Sequence, residues 1–154
     1  MFTHIIEKSA RKVIIKRGTH ATDYFSYCEE VGCDVWDILH TIESISDEPV
    51  CLWLSLRDRK PGTSEYVQGA EVALDYDGIV PEGFNIIELP AATYLMFQGE
   101  PFAEEEYAQA ILELRDFIEK YDLSGTEFSW DNQNPRIQLE PIGTRGYIEL
   151  VPIQ

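Results

Sequence analysis

FNIIELPAATYLMFQGE, residues 84–100, is the stretch on which the fold turns. It is one apolar run interrupted by Pro90. Proline has no N–H to give to a central sheet ladder, so the run reads as an approach strand, Asn85 to Leu89, followed by a second strand, Ala92 to Gln98.

Working outward, the polar loop DGIVPEG lies just upstream. Before it come VCLWLSLRD (Val50 to Asp58) and EYVQGAEVALD (Glu65 to Asp75), separated by the turn-forming RKPGTS; that spacing predicts a hairpin. Further upstream, KVIIKR (Lys12 to Arg17) has the β-branched core of a strand. Thr22 or Asp23 can cap the helix that follows, because either side-chain oxygen accepts a free amide of the first turn. Tyr24, Tyr27, Cys28, Val31, Val35, Ile38, Leu39 and Ile42 recur at three- and four-residue steps, the spacing of one apolar helix face. Gly32 weakens the middle of that helix, and the turn Ile45 to Pro49 closes it.

Downstream, the segment Phe102 to Tyr121 opens with Glu104, Glu105 and Glu106, which suit a helix N-terminus. Tyr107, Ile111, Leu114, Phe117, Ile118 and Tyr121 supply its stripe, and Ser124 and Gly125 end it. Two last strands are expected, one from Glu127 to Trp130 continuing through Arg136 to Ile142, the other from Tyr147 to Ile153, with turns at Asn132 to Pro135 and Gly143 to Gly146. The order strand, helix, strand, strand thus occurs twice. The expectation is a single α+β domain over residues 1–154: two pseudo-symmetric units sharing an antiparallel sheet, both helices on one face, and a ligand cleft on the other.

The bulk composition narrows the function. A content of 44% hydrophobic and 12% aromatic residues describes a folding chain rather than a disordered one. The formal net charge of -16 repels a phosphate backbone, so no direct nucleic-acid binding is expected. Cys28, Cys33 and Cys51 make no CxxC pair, and His4, His20 and His40 are scattered, so no zinc spacing is present and no metal or cofactor is expected. The three thiols read as free and mostly buried, in a reducing compartment. Neither a signal-peptide run nor 18 consecutive apolar residues occurs, which predicts a cytoplasmic protein with no membrane partner.

Three patches carry a resemblance: YVQGAEVALD (Tyr66 to Asp75), VPEGFNIIELPAATYLMFQGEPF (Val80 to Phe102) and GYIELVPIQ (Gly146 to Gln154). Together with the strand order they resemble the gyrase-inhibitor-like family, whose members include the effector-binding domains of AraC-type and MerR-type multidrug regulators. The second patch is the most specific, with its Pro-Glu-Gly, its Leu-Pro-Ala and the strand tyrosine that precedes the second helix. The resemblance implies a cleft between the two units for bulky, aromatic and cationic compounds, with DNA gyrase as a further protein partner and hydrolysis of strained compounds as an activity of some members. No helix-turn-helix is read in these residues. The family's glutamate on the penultimate strand falls on Gln138 in the run Ile137 to Glu140, and the Trp-Leu-Pro that closes its second helix is absent near FIEKYDL.

On residues alone, Tyr147 and Glu149 lie two apart on one strand and project to one face, as do Gln138 and Glu140 on the strand before. If the apolar partners Ile148 and Leu150 pack under the helices, these four polar groups enter the cleft. Trp53, Tyr66, Tyr94, Phe97 and Trp130 are the candidate aromatic walls. Trp53 shares its parity with Cys51, Ser55 and Arg57, whereas Val50, Leu52, Leu54 and Leu56 form the opposite face. Trp36 reads as core, and His20 and His40 as surface or helix residues. A carboxylate beside aromatic rings suits an organic cation. Three functions are therefore weighed: a module that senses or sequesters a small hydrophobic or cationic organic ligand, a hydrolase in which a Glu and a Tyr position water, and a protein-interaction modulator of a topoisomerase such as gyrase.

Overall fold

Pro90 acts as its chemistry requires, dividing the central run into strands at Asn85–Leu89 (β5) and Ala92–Gln98 (β6). The computed structural model describes residues 1–154 and shows an α+β fold with one antiparallel sheet of eight strands and three helices. The other strands are β1 (Phe2–Lys8), β2 (Arg11–Lys16), β3 (Val50–Trp53), β4 (Tyr66–Val72), β7 (Arg136–Gln138) and β8 (Ile148–Ile153). The helices are α1 (Tyr24–Val31), α2 (Asp34–His40) and α3 (Tyr107–Glu119), the last preceded by a 3-10 turn at Glu104–Glu106.

Several expectations are corrected. The long helix is two helices, because Gly32 adopts φ 90° and breaks the chain between α1 and α2. Asp23 is the cap of α1, in a reciprocal box with Ser26. The strand expected to run from Val50 to Asp58 stops at Trp53, and that from Glu127 to Ile142 shrinks to β7, with a lone bridge between Trp130 and Ile153 ahead of it. An N-terminal strand, β1, was not expected; it pairs along the whole length of β6.

The strand order is β1-β6-β8-β7-β3-β4-β2-β5. At the middle of the sheet β3 pairs with β7, where Trp53 faces Arg136 and Cys51 faces Gln138. Two links force this sheet to curl. Only Ser9 and Ala10 join β1 to β2, and only Pro90 and Ala91 join β5 to β6. In a flat sheet each pair would stand six strands apart, about 29 Å at roughly 4.8 Å per strand, whereas three Cα steps reach no more than about 11 Å. The edges must therefore approach each other and close one face inward.

That inner face carries the apolar side of the strands: Val13, Ile15, Leu52, Val67, Tyr94, Ile137 and Leu150 are all buried in one cluster. Close approach of β4 to β2 there requires Gly69, since a Cβ would stand 2.7 Å from Val13 Cγ1 and 2.9 Å from the Ile14 carbonyl oxygen. One ion cluster is included: Glu71 takes Lys8 Nζ at 2.8 Å and Arg11 Nε at 2.5 Å, with Arg11 and Glu71 both fully buried. Burial alone would raise the Glu71 carboxyl; Lys8 and Arg11 outweigh it and hold the group below its ordinary 4.5.

A carboxyl depressed in the folded state stabilises the fold above the unfolded pKa, and that contribution is lost as pH falls through the folded value. Unfolding free energy should thus drop on acidification below about pH 4.5. Urea titrations at about pH 7 and about pH 3 should show a smaller drop for Glu71→Gln than for the parent chain; equal drops would remove Glu71 from the account.

The opposite face carries every helix. Leu114 and Ile118 of α3 pack on Leu95, Phe97, Tyr147 and Ile153. The Tyr27 hydroxyl of α1 donates to the Lys16 carbonyl at 2.5 Å, and its ring meets Tyr66 edge-on. Glu30 fixes the approach to α1 by accepting the backbone amides of Thr19, His20 and Ala21. No helix is long and apolar enough to cross a membrane.

Candidate ligand-binding site

Between α1 and α2 on one side and α3 on the other, a groove runs over the β3–β7 pair and holds two hollows. Both therefore open on the helix-bearing face. The expectation of a cleft on the opposite face is corrected, because curling has closed that face into the core.

The smaller hollow encloses about 350 Å³. Tyr24 and Phe25 of α1, Trp36 of α2, and Tyr107 and Ile111 of α3 form its walls, with Leu139 and Pro141, while Cys51 and Gln138 line it from the sheet. Glu140 is the one charged side chain among its lining residues. Arg145 donates to the Glu140 carbonyl oxygen, but its guanidinium is paired with Glu48 at 2.8 Å. Phe25, Tyr24 and Tyr107 are exposed, an unusual state for three rings so close together. Burial, relieved only in part by a Tyr66 hydrogen bond, pushes the Cys51 thiol up to about 12, so it is a neutral, unreactive surface for a ligand. Cys28 is half-buried and Cys33 exposed, so of the three free thiols only Cys51 is buried.

The larger hollow encloses about 880 Å³ at the other end of the groove, lined by Trp53, Ser55, Arg59, Arg115, Trp130, Asn134 and Arg136 among others. Trp53 is held by its indole N–H, which donates to the Thr22 carbonyl at 2.9 Å, just ahead of α1. Its ring lies 5.3 Å from the Arg115 guanidinium and 5.8 Å from that of Arg136.

A buried ion cluster lies beside the hollows. Glu149, with no exposed surface, accepts Arg136 Nε at 2.7 Å on one oxygen, and Arg115 Nε at 3.0 Å plus the Tyr147 hydroxyl on the other. Burial and then the Glu149 charge push the Tyr147 hydroxyl far up, so it stays protonated and donating at all working pH values. Next to it the Tyr66 hydroxyl donates to Gln138 Oε1 at 2.7 Å. Both Glu149 oxygens are thereby committed to the chain's own donors, and this carboxylate is not available to activate a water.

The nine sequence candidates therefore separate. Gln138 and Glu140 line the aromatic hollow; Trp53 and Trp130 line the arginine hollow. Tyr66, Tyr147 and Glu149 are buried groups behind the groove. Phe97 is buried under α3 against Phe117 and Tyr121. Tyr94 faces the inner core, directly opposite Ile6 and Pro152. The shared parity of Tyr147 and Glu149 is real, and so is their alignment with Gln138 through the Gln138–Glu149 pair. It is the side that differs: they lie under α3, and Ile148 and Leu150 are the inner-face residues.

Trp36, read as core, does pack against the core cluster and is also a wall of the aromatic hollow, while Phe25, Tyr107, Arg115 and Arg136 were missed. A signal existed for some of them. Phe25 and Arg115 fall off the apolar stripes of their helices, which marks them as side chains the core does not claim.

No known family profile and no curated protein sequence matches the chain. Solved structures do match. SAV2435 bound to tetraphenylphosphonium superposes with a TM-score of 0.60 over 100% of this chain and 94% of its own, at 14% identity. The chain shares its fold. A putative bacterial transcription regulation protein from Staphylococcus aureus MU50 gives 0.58 at 15% identity, covering 100% and 99% of the two chains. The EcmrR C-terminal domain gives 0.55 at 12% identity, covering 99% and 97%.

Proposed function

We propose that this protein is a small-molecule-binding module of the gyrase-inhibitor-like kind, and that the aromatic hollow takes a bulky aromatic organic cation for sensing or sequestration. The observation that carries this reading is the lining itself: four aromatic rings, a floor of neutral groups, and Glu140 as the one charge, with no lysine or arginine. A lipophilic cation gains contact with the ring faces and attraction to the carboxylate, whereas an anion gains nothing there. The fold shared with SAV2435, a protein seen with tetraphenylphosphonium, supports the same reading.

Trp36 lines this hollow, so tetraphenylphosphonium should quench the intrinsic fluorescence in a saturable way. Phe25→Ala removes one exposed wall and should weaken binding about tenfold, in line with roughly 1.4 kcal/mol of lost ring contact. Glu140→Gln should weaken it about threefold to tenfold, and added salt should reproduce part of that loss. A flat titration, or two variants that bind as the parent does, would move the ligand elsewhere.

A further inference from the structure

We infer that the arginine hollow is a second binding site, of opposite chemistry, for a planar organic carboxylate. Arg59, Arg115 and Arg136 all line it. Each guanidinium is anchored by other bonds. Arg115 and Arg136 donate through Nε to Glu149, and Arg59 donates to the Leu54 carbonyl through Nε and to Glu65 through Nη2. In each, the Nη1 amine donates to no protein group, although a guanidinium carries five donors in a fixed fork. Three forks held in place with one end free are an arrangement ready for a carboxylate.

Arg59, Arg115 and Arg136 are matched in number by Glu65, Glu119 and Asp131 along the lining, so it is the position of the charges and not their sum that favours a carboxylate. One Glu149 balances one of two arginines, so the cluster keeps a net positive charge beside the hollow. Of the acidic lining groups, Glu65 is paired with Arg59. Asp131 accepts from the Gln133 amide and from Asn134 Nδ2, and Glu119 stands exposed on α3. The chain's overall negative charge is screened within about 8 Å at physiological salt, so contact donors decide what binds.

Trp53, fixed by Thr22, stands with the Arg115 and Arg136 guanidiniums 5.3 and 5.8 Å from its ring, so aromatic and cationic groups meet at one wall of the hollow.

The test uses naphthoate and naphthamide as probes of the full chain by calorimetry. The carboxylate should bind saturably, the amide at least about tenfold more weakly. Arg136→Gln should weaken naphthoate about tenfold and Arg59→Gln severalfold, while Phe25→Ala in the other hollow leaves it unchanged. Should Arg136→Gln not fold, Arg59→Gln, at a side chain 37% exposed and outside the Glu149 cluster, carries the comparison. No saturable naphthoate binding at millimolar concentration, equal binding of the amide, or a loss confined to Phe25→Ala overturns the proposal. Tetraphenylphosphonium binding is assigned to the other hollow by its loss in Phe25→Ala, so its success or failure leaves the naphthoate result standing by itself.

Discussion

Glu149→Ala should lower the unfolding free energy by about 3 kcal/mol, among the largest effects of any side-chain truncation outside the apolar core. The carboxylate has no exposed surface and satisfies Arg115, Arg136 and Tyr147 together. Its removal leaves two guanidiniums without a counter-charge and a fully buried phenol without an acceptor. Breaking a wholly buried pair costs about 3 to 5 kcal/mol. The arginine side chains are 36% and 34% exposed, so partial hydration holds the effect at the low end of that range. For a domain of this length the shift corresponds to a fall in Tm of roughly 6 to 12 °C. Urea denaturation with matched m-values measures it directly; a change below about 1 kcal/mol would mean that water enters the cluster freely.

Gly146→Ala should destabilise the fold by about 3 kcal/mol or more, for a backbone reason. Gly146 has φ 90°, a conformation that L side chains rarely adopt. A Cβ there would also stand 2.2 Å from the Gly99 carbonyl oxygen and 3.0 Å from its carbon, so main chain would have to move. The displaced segment carries Tyr147, whose carbonyl accepts the Gly99 amide at 2.9 Å, and leads into β8 with Glu149. Loss of near-ultraviolet circular dichroism and of thermal stability should appear together. Gly99→Ala is the control, because a Cβ at that position meets only ordinary contacts at 3.7 Å or beyond and should cost little. Equal behaviour of the two variants would contradict the steric argument.

These two residues show where sequence reading stops. Gly146 is recognisable as turn chemistry, but its close neighbour is Gly99, distant in the chain. Glu149 was rightly paired in parity with Tyr147 and assigned as a ligand contact, yet the structure surrounds it with arginines from α3 and β7, 34 and 13 residues away. Its direct neighbour across the β7–β8 pair is Gln138, the position where the resembled family places an acid.

The sequence alone determined what local chemistry can determine. Pro90 must divide an apolar run into β5 and β6, an Asp or Thr must cap α1, the three-and-four spacing must give α3, and the alternation must place Trp53 with Cys51 and apart from Leu52. These follow from backbone donors and side-chain periods that extend over a few residues. Tertiary structure alone decided the rest. β1 exists because β6 offers it an edge along its whole length, not because FTHIIEK alternates cleanly. Periodicity says which residues share a face and never which face is covered; here two short links curl the sheet, bury Tyr94 and Ile148 inside, and leave the helix side to hold the groove. The convergence of Arg115, Arg136 and Glu149, and so the division of that groove into an aromatic end and a guanidinium end, required side chains from separate elements to meet in space.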